Sequence, residues 1–222
     1  MTTVERVLRS PGRSIAIPVP IADVVVWAVD LDQDPPSASA LDDLEPIEQE
    51  RADRFLRQVD RQRFLRRRLE LRRLLGREMD CAAGDIRFDA GPHGKPSVAW
   101  PTTDLQFSTT STEALGLIAI ARAPVGVDCE RVRADRVSAA AAEIFLTYHE
   151  FDAWSGLSWP SRILAFFVAW TRKEASVKAS GLGLGGCPPK QLDVTFEPPA
   201  NLATFRSREG FVASLAVEVD SR

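Results

Sequence analysis

The segment LGLIAIA, residues 115–121, carries no polar side chain, and a turn at Ala123–Pro124 follows it directly. It is far shorter than the roughly 18 apolar residues a membrane-spanning helix needs, yet long enough for a strand buried on both faces. Ile163–Trp170 is the other apolar run, and it is also too short to span. The chain is therefore expected to build a sheet with at least one interior strand. Its 222 residues suffice for one large domain or two small ones.

Near the N-terminus, Arg6, Arg9 and Arg13 precede an apolar stretch from Ser14 to Val29, the outline of a secretion signal. Pro18, Pro20 and Asp23 interrupt that stretch and no small-residue cleavage site follows, so Ala22–Leu31 reads as a buried strand. Cys81, Cys129 and Cys187 are odd in number, far apart and without metal-type spacing, which predicts a reducing, cytoplasmic setting and no disulfide framework. With only His93 and His149, a zinc centre or a Ser-His-Asp hydrolase is not expected. The net charge of −3 conceals an acidic segment (32–53) followed by a densely basic one (54–77), a local surface suited to an acidic partner.

Phe64, Leu71, Leu74 and Leu75 fall on one helical stripe, with Arg66, Arg73 and Arg77 opposite, and most of the arginines in 54–77 read as a solvated face. GPHGKP (91–96) reads as a loop in which Pro96 blocks helix, LQFST as a strand, and Val125–Val132 as another. Ala139–Phe145 and Ile163–Ser180 read as helices, the second stopped by Gly181; LDVTF, ATFRS and FVASLAVEV are expected to complete a sheet. The order strand, helix, strands occurs twice. That predicts an α+β fold of two halves, 1–121 and 122–222, joined near Ala121–Pro124.

Asp128 and Glu130 stand two apart in VGVDCERV, so a strand puts both carboxylates on one face. Side-by-side carboxylates call for a cation or hydrogen bonds, and Mg²⁺ takes oxygen ligands of this kind. Solvated acids paired with Arg131 or Arg133 are the plainer alternative. In AWTRKEASVKASGLGL (169–184), Trp170, Glu174 and Lys178 share a helix face; Glu174 can add a third oxygen and Lys178 can meet a phosphate, or the two can form an ordinary helix pair. Arg51, Arg63 and Lys95, the last between glycine and proline, are further candidates for phosphate.

The ordered set GKP (94–96), VGVDCE (125–130) and WTRKEASVK (170–178) resembles the 4'-phosphopantetheinyl transferases, specifically their larger single-chain type with two pseudo-symmetric halves and the active site between them. The family pattern G-[IV]-D-x-E followed by W-[ST]-x-K-E-[AS]-x-x-K is complete, and the DIRF segment (85–88) and F-x-x-x-x-E at 145–150 also match. The resemblance implies that Asp128, Glu130 and Glu174 hold Mg²⁺, with Mn²⁺ preferring similar ligands. It implies that Lys178 contacts the phosphates of coenzyme A and that Glu174 or a metal-bound water is the base. Arg51, Arg63, Lys95 and Pro96 match positions at the nucleotide end, and Lys173 belongs to the same signature.

The family carries a Ser-His-Ser element whose histidine helps hold the 3'-phosphate; here the segment reads FSTTST (107–112), with Ser111 in the histidine's place. Thr110 and Ser111 can donate to a phosphate, though neutral donors bind it less strongly than charged ones. His93, close to Lys95, is a candidate substitute. The implied reaction moves phosphopantetheine from coenzyme A to a serine of an acyl or peptidyl carrier protein, with a monomer sufficient and secondary metabolism a natural setting. A relative of the same fold that binds without efficient transfer is the alternative. The acidic overall charge and the absence of a recognised motif argue against a nucleic-acid partner for the arginine-rich helix.

Overall fold

A computed structural model describes residues 14–91, 93–194 and 198–218. Strands β1 (Ile15–Ile17) and β2 (Val24–Asp30) are followed by helices α1 (Ala38–Leu41), α2 (Pro46–Asp53) and α3 (Gln58–Met79). Next come β3 (Arg87–Ala90), β4 (Pro96–Trp100), β5 (Gln106–Thr112), β6 (Leu115–Ala121) and β7 (Val125–Arg131). Helices α4 (Ala139–Phe145), α5 (Tyr148–Ser155), α6 (Trp159–Ser180) and α7 (Gly183–Gly186) lead to β8 (Leu202–Phe205) and β9 (Phe211–Val217). The fold is α+β, and every described strand pairing is antiparallel.

The apolar run LGLIAIA is β6, buried at every position and paired on both sides in a sheet of order β1-β2-β6-β5. One face of that sheet packs on α3: Leu71, Leu74 and Leu75 meet Phe107, Ile118 and Ile120. The other face, through Val26, Leu117 and Ala119, packs on Val125, Val127 and Leu215 of the second sheet, ordered β7-β9-β8. Both sheets share a plan. In β2-β6-β5 and in β7-β9-β8 the last strand in sequence lies between the first and the penultimate, and a 22-residue helix, α3 or α6, precedes the final strand pair.

Three expectations need adjustment. Helix α6 starts at Trp159 rather than Ile163, because a proline in its first turn has the right fixed φ and loses no helical hydrogen bond there. In LDVTF, residues 192–194 form no strand and 195–197 lie outside the described residues, as does the basic N-terminal stretch 1–13. The arginines of α3 are not simply a solvated face: Arg72 is completely buried. Its guanidinium donates to Glu45 and Glu48 and to the carbonyls of Ala83 and Ile86. The two glutamates form the capping box of α2, so one cluster fixes the α2 start against the middle of α3.

Candidate active site

The carboxylates stand on β7, where that strand meets the edge strand β5 on one side and α6 on the other. Alternation along β5 turns Ser108 and Thr110 toward β7: Ser108 Oγ accepts the Val127 N–H at 3.1 Å, and Thr110 Oγ1 donates to Asp128 Oδ1 at 3.0 Å. Ser111, one residue on, is exposed and belongs to the opposite face of the strand.

Gly126 sets the distance between β7 and α6. A Cβ at that position would overlap the carbonyl oxygen of Ala175 and the amide nitrogen of Ala179, so the helix backbone lies directly on the strand. This close approach brings Lys178 Nζ within 2.6 Å of Asp128 Oδ1 and 3.4 Å of the Val127 carbonyl. Lys178 thus pairs with Asp128 across the two elements.

Asp128 is 4 % exposed, and its second oxygen, Oδ2, is buried with no hydrogen-bond partner among the described residues. Burial raises its pKa, against the pull of Lys178 and Thr110. Glu130, half-buried, is pushed up to about 7 by burial and by the neighbouring Asp128 and Glu174 carboxylates. Glu174 is also raised, chiefly by burial, with Asp128 adding to it. The plainer pairing of Glu130 with Arg131 or Arg133 does not occur: Arg131 binds Glu113 and Arg133 binds Asp135.

Among the described residues, no three His, Cys, Asp or Glu side chains converge closely enough to hold a metal as they stand. The donor set nevertheless suits Mg²⁺. All candidate ligands are carboxylate oxygens, one of them buried without a donor, and Mg²⁺ is commonly held by one or two carboxylates completed by phosphate oxygens and waters. All three carboxyls are raised chiefly by burial, and Asp128 adds to the shifts of Glu130 and Glu174, so their ionised forms are disfavoured here unless a cation or further donors arrive.

A cavity of about 280 Å³ opens beside these groups, lined by Lys95, Pro96, Thr109, Glu174, Lys178 and Gly181 among others. Lys95 Nζ donates to the Ala179 carbonyl at 2.7 Å, so the GKP loop is fastened to the last turn of α6, and burial lowers the Lys95 pKa. Gly181 ends α6 in the left-handed conformation at φ 69°, with the Lys95 side chain beside it. His93 lines the same cavity and is exposed.

Arg51 and Arg63 are placed differently. Arg51 is exposed on α2, its guanidinium 5.5 Å from the Phe64 ring centre, and it lines a separate hollow with Ile47, Arg54 and Phe55. Arg63 is held by Asp32 through two hydrogen bonds of 2.6 and 2.8 Å. The structure therefore gathers Asp128, Glu130, Glu174, Lys178, Thr110, Lys95 and Pro96 around one region, with Arg51, Arg63 and Ser111 outside its cavity.

Lys173, unassigned from sequence, is buried and forms a 2.5 Å ion pair with Glu150, the last residue of the F-x-x-x-x-E motif. It also donates to the carbonyls of Phe145 and Pro189. Phe145 stacks on Trp170 with ring centres 4.4 Å apart. These signature residues lock α4 and α5 against α6 behind Glu174. Hydrophobic periodicity gives no sign of this pairing, nor of the contact at Gly126.

Residues 124–219 match the family model of the 4'-phosphopantetheinyl transferase superfamily. The 4'-phosphopantetheinyl transferase HetI of Nostoc sp. is 30% identical over 82% of this chain and 78% of its own length. A candidate 4'-phosphopantetheinyl transferase of Synechocystis sp. is 33% identical over 72% of this chain, which spans 63% of that relative. The 4'-phosphopantetheinyl transferase Sfp of Bacillus subtilis is 25% identical over 64% of this chain and 62% of its own. By its motifs, its α+β fold and these relatives, the chain belongs to the 4'-phosphopantetheinyl transferase superfamily.

Proposed function

We propose that the chain transfers the 4'-phosphopantetheine of coenzyme A to a serine of an acyl or peptidyl carrier protein in a Mg²⁺-dependent reaction. The observation that carries this reading is the unpartnered, buried Asp128 Oδ2 beside Glu130 and Glu174, with Lys178 and Lys95 lining the adjoining cavity. A pyrophosphate in that cavity would meet two lysines on one side and carboxylates able to share its cation on the other. The relatives HetI and Sfp bear the name of this activity.

In the proposed step the serine oxygen of the carrier bonds to the β-phosphorus of coenzyme A. The bond from that phosphorus to the bridging oxygen breaks, and 3',5'-adenosine bisphosphate leaves with the α-phosphate. Glu174, its pKa raised mainly by burial, takes the serine proton. Lys178 offsets the charge growing on the leaving oxygens, and Lys95 and Thr110 hold the surrounding geometry. Asp128, Glu130 and Glu174 would hold Mg²⁺, which supplies charge neutralisation at the pyrophosphate when bound. The repeated strand order supports a two-half design with the site at the junction, divided near Ala121–Pro124. On this plan one chain completes the site as a monomer.

Chromatography of a mixture of the chain, coenzyme A, Mg²⁺ and an apo carrier protein tests the bond assignment. One 3',5'-adenosine bisphosphate should appear for each carrier loaded. Release of any other nucleotide would place the broken bond elsewhere, and release of the bisphosphate without loading would show that water rather than the carrier serine takes the group.

A further inference from the structure

Thr110 stands on β5, in the sheet β1-β2-β6-β5, whereas Asp128, Glu130, Glu174 and Lys178 stand on β7 and α6. Side chains make the join between β5 and β7. Within its own sheet β7 is an edge strand paired with β9, and its Val127 N–H is taken by Ser108 Oγ at 3.1 Å. On the same face of β5, Thr110 Oγ1 donates to Asp128 Oδ1 at 3.0 Å. Lys178 Nζ donates to that same oxygen at 2.6 Å. Oδ1 thus receives donors from two elements, while Oδ2 is buried with no partner among the described residues.

This distribution decides between two uses of the Thr110 hydroxyl. A hydroxyl has one proton to donate, and here Asp128 takes it. Thr110 is 6 % exposed and does not line the Lys95–Lys178 cavity, which β5 reaches through Phe107, Ser108 and Thr109. The Cys129 thiol also lies beside that hydroxyl, but burial holds it protonated, and a thiol is a weak acceptor. The phosphate-donor role expected from sequence is therefore not the one this position serves. The torsion that turns a carboxyl plane has broad wells, so an aspartate held at one oxygen by a long, flexible lysine alone can swing. A second donor on a short, β-branched side chain from a paired strand restricts that swing. It leaves Oδ2, the oxygen with lone pairs to spare, in one orientation.

We infer that Thr110 is a positioning residue for the cation: with Lys178 it holds Asp128 by Oδ1, so that Oδ2 is presented to Mg²⁺ in a single orientation. Strand β5 of the first sheet thereby sets the affinity for a metal whose protein ligands all lie on β7 and α6. The inference rests on the Mg²⁺-dependent transfer reading above and deepens it. Thr110 touches neither the nucleotide nor the bond that breaks.

The test titrates Mg²⁺ into wild type, Thr110→Val, Thr110→Ala and Thr110→Ser at saturating coenzyme A. Two readouts are followed, the rate of carrier loading and the rise in thermal midpoint that Mg²⁺ produces. Thr110→Val keeps the side-chain shape and removes the donor. It should raise the Mg²⁺ concentration for half-maximal response about 10-fold in both readouts, the size of one hydrogen bond to a charged group. At saturating Mg²⁺ its KM for coenzyme A should equal that of the wild type. Thr110→Ala should match Thr110→Val, and Thr110→Ser, which keeps the hydroxyl, should lie near the wild type. A phosphate-binding role predicts a raised KM for coenzyme A at saturating Mg²⁺ with the Mg²⁺ response unmoved. A merely structural role predicts a lower metal-free thermal midpoint and loading reduced equally at every Mg²⁺ concentration. Either result, or a Thr110→Val titration that overlays the wild type, overturns the positioning role and leaves the transfer reading intact. A wild type that neither loads carrier nor responds to Mg²⁺ overturns that reading and the positioning role with it.

Discussion

Glu130 meets two like charges, Asp128 and Glu174, and one lysine, and burial adds to the cost of its ionised form. Its folded pKa of about 7 lies above its usual 4.5, so the native state binds more protons than the unfolded chain across that window. The stability contributed by its protonated form is fully present below 4.5 and is lost as pH rises through about 7. Asp128 and Glu174 are shifted in the same direction. The thermal midpoint of the metal-free protein, followed by scanning fluorimetry, should therefore decline between pH 5 and 8, and Glu130→Gln should flatten that decline. A slope unchanged by the substitution would show that Glu130 does not carry the shift. Asp128→Ala and Glu174→Ala should leave circular dichroism native and abolish carrier loading, and Lys178→Met should slow loading by about 100-fold or more. Loading retained in the pure alanine variants would remove the metal assignment.

Elements rather than single residues set the site's precision, and β7 against α6 is the decisive contact. Gly126→Ala would drive a methyl group into the backbone of α6 at Ala175 and Ala179, moving Glu174 and Lys178 away from Asp128. The expected cost is about 3 kcal/mol, with a lower urea midpoint and loss of loading. A Gly126→Ala protein with wild-type stability would mean that the helix can retreat freely. Behind the same helix, breaking the buried Lys173–Glu150 pair from one side should cost about 3–5 kcal/mol. Replacing both partners by apolar residues should cost less than the two single changes added together, as a double-mutant cycle in urea would show. Little of this was legible in the sequence. Periodicity marks the buried stripe of α3 and the run that becomes β6, because burial repeats along one element. The Gly126 contact, the Arg72 cluster and the Lys173 pair each join residues far apart in the chain, and their only sequence trace lies in motifs whose physical reason appears once the elements are packed.

Across the whole molecule, the sheets β1-β2-β6-β5 and β7-β9-β8 come together so that the GKP loop, β5 and α6 line one cavity. The strand and helix patterns marked the α+β character of the fold, because alternation and helical spacing are local properties. Alternation also placed Asp128 and Glu130 together on β7. The outward position of Ser111, the pairing of Arg63 with Asp32 and the separate hollow at Arg51 were not legible, since each depends on how α2 and α3 lie against β5. None of the described helices is long and apolar enough to cross a membrane. The most direct test of the account is the intact mass of an apo carrier protein incubated with this chain, coenzyme A and Mg²⁺, with and without a chelator. The account predicts a gain of one phosphopantetheine per carrier, abolished by the chelator and restored by added Mg²⁺. No gain across several acyl and peptidyl carrier proteins, in a chain that still binds coenzyme A, would contradict it and leave a binding protein of the same fold.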